Sequence, residues 1–210
     1  MSTVRRAGPG RRRVALALGF GLGGLAAGCA SPAPTLYTLA PLPGPALGAP
    51  RRVILMREVS LARYLQRPGI VRSSADYRLD VLANDWWGEP LGAMLGRVLV
   101  ADLATRLPGS TVLAESVAIT TDADIAVEVS IQQFEEDASG TVVLNATFAL
   151  VGRRGPSAPR SFSVSVPASP LAGAGALRGE AAVAAQVAAM STALAQFADR
   201  IAAAIAGFRG

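Results

Sequence analysis

Histidine and lysine are absent from this sequence of 210 residues, and cysteine occurs once, as Cys29. Without imidazole the chain has no histidine metal ligand, no Ser-His-Asp or Cys-His nucleophile and no side chain that normally titrates near neutral pH. One thiol cannot form a cysteine-based zinc site. Carboxylate pairs are therefore the remaining option for catalysis. All 20 basic residues are arginine, which we attribute to genomic composition rather than to function.

Asp122 and Asp124 could form a carboxylate pair, and Glu128 lies a few positions later. A glycosidase, for example, needs two carboxyl groups that flank the bond to be cleaved. Nothing near this pair supplies a partner group or the motif of a binding cleft. We therefore predict that the protein is not an enzyme and has no catalytic residue, no metal site and no non-covalent cofactor.

Residues 1–28 are organised like a secretory signal peptide. Arginines at positions 5, 6 and 11–13 precede an apolar run over residues 14–25, and small residues then lead to Cys29. A membrane-spanning helix needs about 20 apolar residues, so this glycine-rich run is too short to be one. An ordinary signal peptide that happens to end near a cysteine is the alternative.

The segment Leu25-Ala26-Ala27-Gly28-Cys29 resembles a bacterial lipobox. That resemblance implies cleavage between Gly28 and Cys29, transfer of diacylglycerol to the thiol and acylation of the new amino terminus with chains such as palmitate. Stable anchoring takes two or more chains, which such a lipoprotein has. Ala30 stands where inner-membrane retention signals carry aspartate, so the resemblance also implies an outer-membrane location facing the periplasm.

Loss of the signal peptide changes the charge balance. Five of the 20 arginines lie in residues 1–28, and the 15 that remain equal the 15 acidic residues, so the net charge is zero. Nucleic-acid binding needs clustered positive charge, and we exclude it. A neutral surface permits self-association without requiring it. We divide the rest into a lipidated linker, residues 29–35, and one domain, residues 36–210.

The first half of the domain alternates short strands with loops. Alternation predicts a strand over residues 36–39, followed by a proline-rich loop over 41–50. The continuous apolar character of residues 51–59 predicts a strand buried on both faces. A single helical turn over residues 61–66 then precedes a hairpin of residues 70–73 and 77–82.

Two helices are predicted from apolar residues at helical spacing. The first begins near Pro90, which suits a first helical turn, and its apolar residues are Leu91, Leu95, Val98, Leu99, Leu103 and Leu107. The second, over residues 180–208, carries a stripe made of Val183, Val187, Met190, Leu194, Phe197, Ile201, Ile205 and Phe208. We expect this stripe to pack on a sheet; a coiled-coil partner face is the alternative.

Three strands of period two lie between the helices, after a short strand at residues 111–114. They cover residues 125–132, 142–150 and 162–166, and we expect an antiparallel meander with one buried face. Acidic residues 135–137 are predicted to lie at a solvated hairpin tip. The fold class is therefore α/β, with a mixed, largely antiparallel sheet and amphipathic helices, about 91–107 and 180–208, packed on it.

Several short segments resemble the ABC-type transport auxiliary lipoprotein family. The most distinctive is Trp87-Gly88-Glu89-Pro90-Leu91 at the start of a helix. The others are Tyr37-Thr38-Leu39 after the cysteine, residues 53–70 with Leu65-Gln66-Arg67, residues 127–134, and residues 188–202 of the last helix.

The resemblance implies a non-catalytic component of an ABC-type lipid transporter that maintains envelope integrity. In such systems a permease and ATPase act in the inner membrane, and an MCE-type protein bridges the periplasm. The auxiliary lipoprotein docks to that bridge. A lipid-binding carrier with an apolar cleft and a structural or assembly lipoprotein without a transporter are the alternatives.

The candidate partner-binding residues are Trp86, Trp87, Glu89 and Pro90. Adjacent residues of an extended segment point to opposite sides, so one tryptophan can anchor in the core while the other faces outward. Tryptophan is enriched in interface hot spots. The alternative is that both tryptophans are buried and that Glu89 only complements the helix dipole.

Overall fold

The computed structural model describes Thr3 and residues 33–209, apart from residues 76, 117–121 and 169–178. Within these residues the chain forms ten strands and two long helices. The elements of the first half are β1 (Thr35–Tyr37), β2 (Val53–Met56), β3 (Ser60–Leu61), a 3-10 turn (Arg63–Leu65), β4 (Gly69–Ala75), β5 (Arg78–Trp87), α1 (Leu91–Arg106) and β6 (Thr111–Ala114). Those of the second half are β7 (Ile125–Glu136), β8 (Thr141–Gly152), β9 (Gly155–Pro156), β10 (Arg160–Pro167) and α2 (Glu180–Ala206).

Strand β7 is the centre of the sheet because it has neighbours along its whole length. On one edge β2, β3 and β4 follow one another in chain order, all parallel to it. On the other edge β8 runs antiparallel, and β10 continues the sheet beyond β8. At the opposite end β5 pairs antiparallel with β4, and β1 pairs parallel with β5. The long ladders are antiparallel and the short ones mostly parallel, which confirms the predicted mixed sheet.

One face of the sheet packs against both helices. Alternate residues of β8 are buried, as period two requires, and the apolar stripe of α2 lies over them. The ring of Phe197 on α2 meets the ring of Phe148 edge to face at 5.8 Å and lies 5.1 Å from that of Phe162. Burial of each such side chain contributes on the order of 2 kcal/mol. The predicted packing of the last helix on the sheet is confirmed.

Helix α2 is also long and apolar enough, by composition, to cross a membrane. In the fold, however, most of its apolar window is buried against the sheet and α1. Its composition is therefore that of a core helix, which has few polar residues because the sheet and α1 both pack against it.

Two strand predictions are wrong in part. Strand β1 ends at Tyr37 rather than at residue 39 because the chain turns toward the helices. There the Leu39 amide donates to Met94 Sδ, and the Ala40 amide donates to Ser191 Oγ, each at 3.2 Å. Strand β2 is buried on one face only. It lies between β6 and β7, but the helices cover a single face of the sheet.

The acidic turn is also shorter than predicted. Strand β7 continues through Glu136, and Glu135 is only 3% exposed, so neither residue lies at a solvated tip. The tip itself begins at Asp137, whose carboxylate accepts bonds from the amides of Ser139 (2.8 Å) and Thr141 (3.0 Å). Gly140 closes it at a φ of +79°, a conformation that favours glycine.

Candidate functional site

Trp86 and Trp87 end strand β5, and their side chains have opposite environments. Trp87 is 6% exposed and belongs to the core, whereas Trp86 is 38% exposed. The hypothesis that one tryptophan anchors and the other faces outward is confirmed, and the alternative that both are buried is wrong. The two residues therefore cannot form one continuous binding surface.

Backbone hydrogen bonds fix the tryptophan end of β5 on both sides. The Trp87 amide donates to Pro68 O at 2.7 Å, and the Gly88 amide donates to Tyr37 O at 2.9 Å. The first bond holds the segment before β4, and the second holds β1. Position 87 is consequently a rigid structural anchor.

An irregularity in β5 places Trp86 on the outer face of the sheet, away from the helices. Gly69 of β4 pairs with Trp86 of β5, whereas Val71, two residues later on β4, pairs with Val81 of β5. The residues of β5 between Val81 and Trp86 therefore lie opposite a single residue of β4. Such a bulge re-aims the following side chains. The Trp86 indole N–H donates to Ala83 O at 3.0 Å across this bulge, which holds the ring in place.

Glu89 and Pro90 connect β5 to α1. Both Nε (3.0 Å) and Nη2 (2.5 Å) of Arg97 donate to Glu89 Oε1, and Arg97 also donates to Thr38 Oγ1 at 3.2 Å. The pair is well exposed and so contributes at most about 1 kcal/mol. Pro90 is the residue before α1, and its carbonyl accepts the Met94 amide at 3.1 Å.

A cleft of about 960 Å³ opens beside this junction. Its apolar walls come from the start of α1, Trp87 and β3, and its charged rim comes from Glu58, Arg67 and Glu89. The backbone approaches closely at one point, because a Cβ on Gly92 would lie 3.3 Å from Val59 O, which is a tight contact. Of the predicted binding residues, Trp87, Glu89 and Pro90 line this cleft and Trp86 does not.

A buried charged cluster joins the helices to the proline-rich loop. Arg106 of α1 is 1% exposed, and its guanidinium donates to Asp199 Oδ1 at 2.5 Å and to Ala195 O of α2 at 3.1 Å. It also donates to Leu42 O at 3.0 Å. Asp102 is fully buried and accepts the Leu42 amide at 2.8 Å. Burial raises the pKa of Asp102, although this amide and Arg106 oppose the shift.

Sequence reasoning missed this cluster, although a signal existed. Asp102 and Arg106 continue the helical spacing of the buried residues Leu95, Val98 and Leu99. A charged pair on an apolar stripe indicates a buried, hydrogen-bonded pair. A Cβ on Gly44 would lie within 2.5 Å of the Arg106 guanidinium, so a larger residue there would displace this buried, hydrogen-bonded group.

Glu135 and Glu136 each bind a side chain from another element. The Tyr64 hydroxyl donates to Glu135 Oε2 at 2.5 Å, and burial together with this bond raises the tyrosine pKa, so the hydroxyl stays protonated. Glu136 pairs with Arg72 at 2.8 Å, and Arg72 also reaches Gln186 of α2 at 2.5 Å. These acidic residues therefore hold β7 to its neighbours.

Gly28, Cys29 and Asp124 are also among the residues that the sequence singles out. Gly28 and Cys29 lie outside the described residues. Asp124 accepts the Val53 amide at 2.9 Å and lies 3.7 Å from Arg153. The Asp124 carboxylate thus closes the start of β2, which is a structural role.

Comparison with known proteins identifies the family. A model of the ABC-type transport auxiliary lipoprotein component matches residues 35–202. The intermembrane transport lipoprotein PqiC of Escherichia coli is 27% identical over 111 residues, as is its counterpart from Shigella flexneri. The match covers 53% of this chain and 57% of each relative, so the chain spans little more than half the length of these curated proteins.

Two crystal structures share the fold. One, of an uncharacterized protein, has a TM-score of 0.68 and 22% identity and covers 83% of this chain and 99% of its own. The other, from Xanthomonas campestris, has a TM-score of 0.62 and 22% identity and covers 80% and 92%. The family match extends from β1 through most of α2, and the chain therefore belongs to the ABC-type transport auxiliary lipoprotein family.

Proposed function

We propose that this protein is the outer-membrane, periplasm-facing docking component of an MCE-associated ABC transporter of lipids. It is held in the membrane by lipid on Cys29, has no catalytic role and helps to maintain the envelope barrier. The observation that carries the proposal is the family match over residues 35–202. The Escherichia coli relative is an intermembrane transport lipoprotein, which supports transport between two membranes.

The docking site in this proposal is the cleft beside α1. It has apolar walls and a rim of both charge signs, from Glu58, Glu89 and Arg67. Interfaces combine an apolar centre with a polar rim in this way. Its floor is preformed, since Trp87 is fixed in the core and by the bond of its amide to Pro68 O, so little ordering is needed on binding.

Photocrosslinking in cells tests the docking site. A photoreactive residue replaces Ala93, an exposed residue of α1 that lines the cleft. The matched control is Ala104, which is also exposed and lies 11 residues later on α1. At 100° per residue the two alanines share a helix face, about 16 Å apart.

Capture of an MCE-type periplasmic protein from position 93 but not from position 104 is the expected result. Equal capture from both positions, or capture from position 104 alone, contradicts docking at the cleft. Position 87 is unsuitable for the probe because a substitution there alters the core.

The cleft also keeps the carrier function as a second candidate. Its volume is within the range of small-molecule sites, and Trp87, Leu91 and Val59 supply apolar lining. Crosslinking of lipid alone from position 93, together with lipid in the native mass spectrum of the purified protein, would favour the carrier over the docking component.

Deletion of the gene tests the role in the envelope. We expect greater sensitivity to detergents and altered lipid asymmetry, restored by the wild-type gene but not by a Cys29→Ser variant. Unchanged permeability and asymmetry under every condition tried would contradict a role in lipid transport. Adjacent genes for a permease, an ATPase and an MCE-type protein would favour the docking component over a structural lipoprotein without a transporter.

A further inference from the structure

Exposed apolar side chains are concentrated in one region of the described chain. Five large ones are exposed there, and all belong to β1, to β5 or to the turn before β5: Leu36, Tyr77, Leu79, Val81 and Trp86. Single exposed apolar residues are normal, but a contiguous group usually marks an interaction surface.

Four of these residues form one surface, which we call the outer patch: Leu36, Leu79, Val81 and Trp86. Leu36 is the partner of Trp86 in the β1–β5 ladder. A Cβ on Gly69 would lie 2.7 Å from Val81 Cγ1 and 3.9 Å from Trp86 Cδ1, so both side chains lie over the same glycine. Leu79 precedes Val81 by two residues and shares its face.

The outer patch lies on the face of the sheet that the helices do not cover. Arg72 of β4 reaches Gln186 of α2, so its strand neighbour Val71 points the other way. Val71 pairs with Val81 and is buried, yet it is not part of the core cluster. The patch thus has its own small apolar base, separate from the core.

Chain length limits what this surface can meet. Leu36 follows Cys29 by only seven residues, which span at most about 25 Å when fully extended. With Cys29 acylated, Leu36 therefore stays within that distance of the lipid headgroups, and Trp86 is its strand partner on β5. Tryptophan is a side chain that favours the membrane interface, and Trp86 belongs to the outer patch.

We infer that the outer patch lies against the membrane that carries the anchor, with the indole of Trp86 at the depth of the lipid headgroups. This inference rests on the proposed acylation of Cys29. The patch then fixes the orientation of the domain, leaving the cleft beside α1 free for a protein partner. The bulge in β5 serves this arrangement because it turns Trp86 to the same face as Val81.

Tryptophan quenching by brominated lipid tests the inference. The full chain, purified from the envelope, is reconstituted in vesicles of phosphatidylethanolamine and phosphatidylglycerol with and without brominated acyl chains. Because bromine quenches only at short range, we expect at least about a twofold loss of Trp86 emission if the indole lies at the interface. Trp86→Phe leaves only the buried Trp87 and should abolish the quenching.

Charge substitutions supply the matched comparison. The double variant Leu79→Glu and Val81→Glu should remove most of the quenching. Ser163→Glu and Ser165→Glu place two charges at the same spacing on β10, whose only partner among the described strands is β8. These control changes should leave the quenching unaltered.

Mass spectrometry of the amino-terminal peptide separates the two ways of failing. If Cys29 is acylated but brominated lipid does not quench the emission, the membrane contact is wrong and docking at the cleft is unaffected. The same conclusion follows if the Leu79→Glu and Val81→Glu double variant is quenched as strongly as wild type. An unmodified Cys29 overturns the anchor on which both proposals rest. A photoreactive residue at position 79 gives a further test. If it captures a second copy of this protein instead of lipid, the outer patch is a surface for self-association and not for membrane contact.

Discussion

The helix layer buries charge, whereas the β1–β5 end of the sheet exposes apolar side chains. In the helix layer Arg106 is 1% exposed and Asp102 is fully buried, and their partners come from both helices and the proline-rich loop. At the sheet end Leu36 is 62% exposed. Buried charge is tolerated when it is hydrogen-bonded, so the first region is explained by folding alone. The second region is not, and the membrane contact proposed above would account for it.

Replacement of the two tryptophans should show this contrast most clearly. Trp87→Ala empties a core position and should lower the free energy of unfolding by about 3–5 kcal/mol. Trp86→Ala should cost about 1 kcal/mol or less, since surface substitutions rarely exceed this. Denaturant unfolding followed by circular dichroism measures both. Equal losses would mean that Trp86 serves the fold and would remove the contrast.

Removal of Arg106 should have an effect of similar size. Arg106→Met leaves Asp102 buried without its cation, and breaking a buried pair in this way costs about 3–5 kcal/mol. Arg97→Met is the control because its pair with Glu89 is exposed and is worth about 1 kcal/mol at most. A loss no larger than that of the control would show that the buried cluster does not stabilise the loop.

Gly44→Ala should have a smaller effect. The new Cβ would overlap the Arg106 guanidinium, and overpacking of a filled site costs about 1–3 kcal/mol. Gly48 lies on the same loop with nothing within 4 Å of the corresponding position, so Gly48→Ala should change stability by about 0.5 kcal/mol or less. Thermal unfolding of the two variants compares them directly, and indistinguishable midpoints would contradict the close packing.

The smallest expected effect is the pH dependence of Asp102. Because burial raises its pKa in the folded state, the folded protein binds this proton more tightly than the unfolded chain does. Wild type should therefore gain stability relative to Asp102→Asn as the pH falls through the raised folded-state pKa, and the gain should be complete near the ordinary pKa of 3.8. Unfolding curves of both proteins from pH 7 to pH 3 measure this relative stability. A loss of wild-type stability relative to Asp102→Asn on acidification would contradict the raised pKa.

Much of the fold could be predicted because its periodicities are long. The helix that starts after Pro90, the strands of the meander and the stripe of α2 each repeat over enough residues to be unambiguous. The burial of Glu135 could not be predicted in this way. It depends on Tyr64, 71 positions away in the chain, whose hydroxyl supplies the partner that a buried carboxylate needs.

The candidate site was predicted only in part for a similar reason. Strand alternation correctly separates Trp87 from Trp86, but it does not reveal the bulge that brings Trp86 beside Val81. Nor does it show that Leu79 and Val81 are exposed, since apolar residues of a predicted strand are assigned to the core by default. Tertiary pairing decides both outcomes.

The order of strands on β7 has a consequence for how quickly the protein folds. Each parallel partner on its edge is distant in sequence: Ile54 pairs with Ile125, 71 positions later, and Arg72 with Glu136, 64 positions later. Pairing over such separations makes folding slow, because the chain entropy is lost before the contacts form. During synthesis β4 can pair with β5, and β2 with β6, but β2, β3 and β4 cannot join β7 until residue 136 has been made, so the sheet closes around β7 late. For the exported lipoprotein that we propose, late closure of the sheet would leave time to cross a membrane before folding is complete.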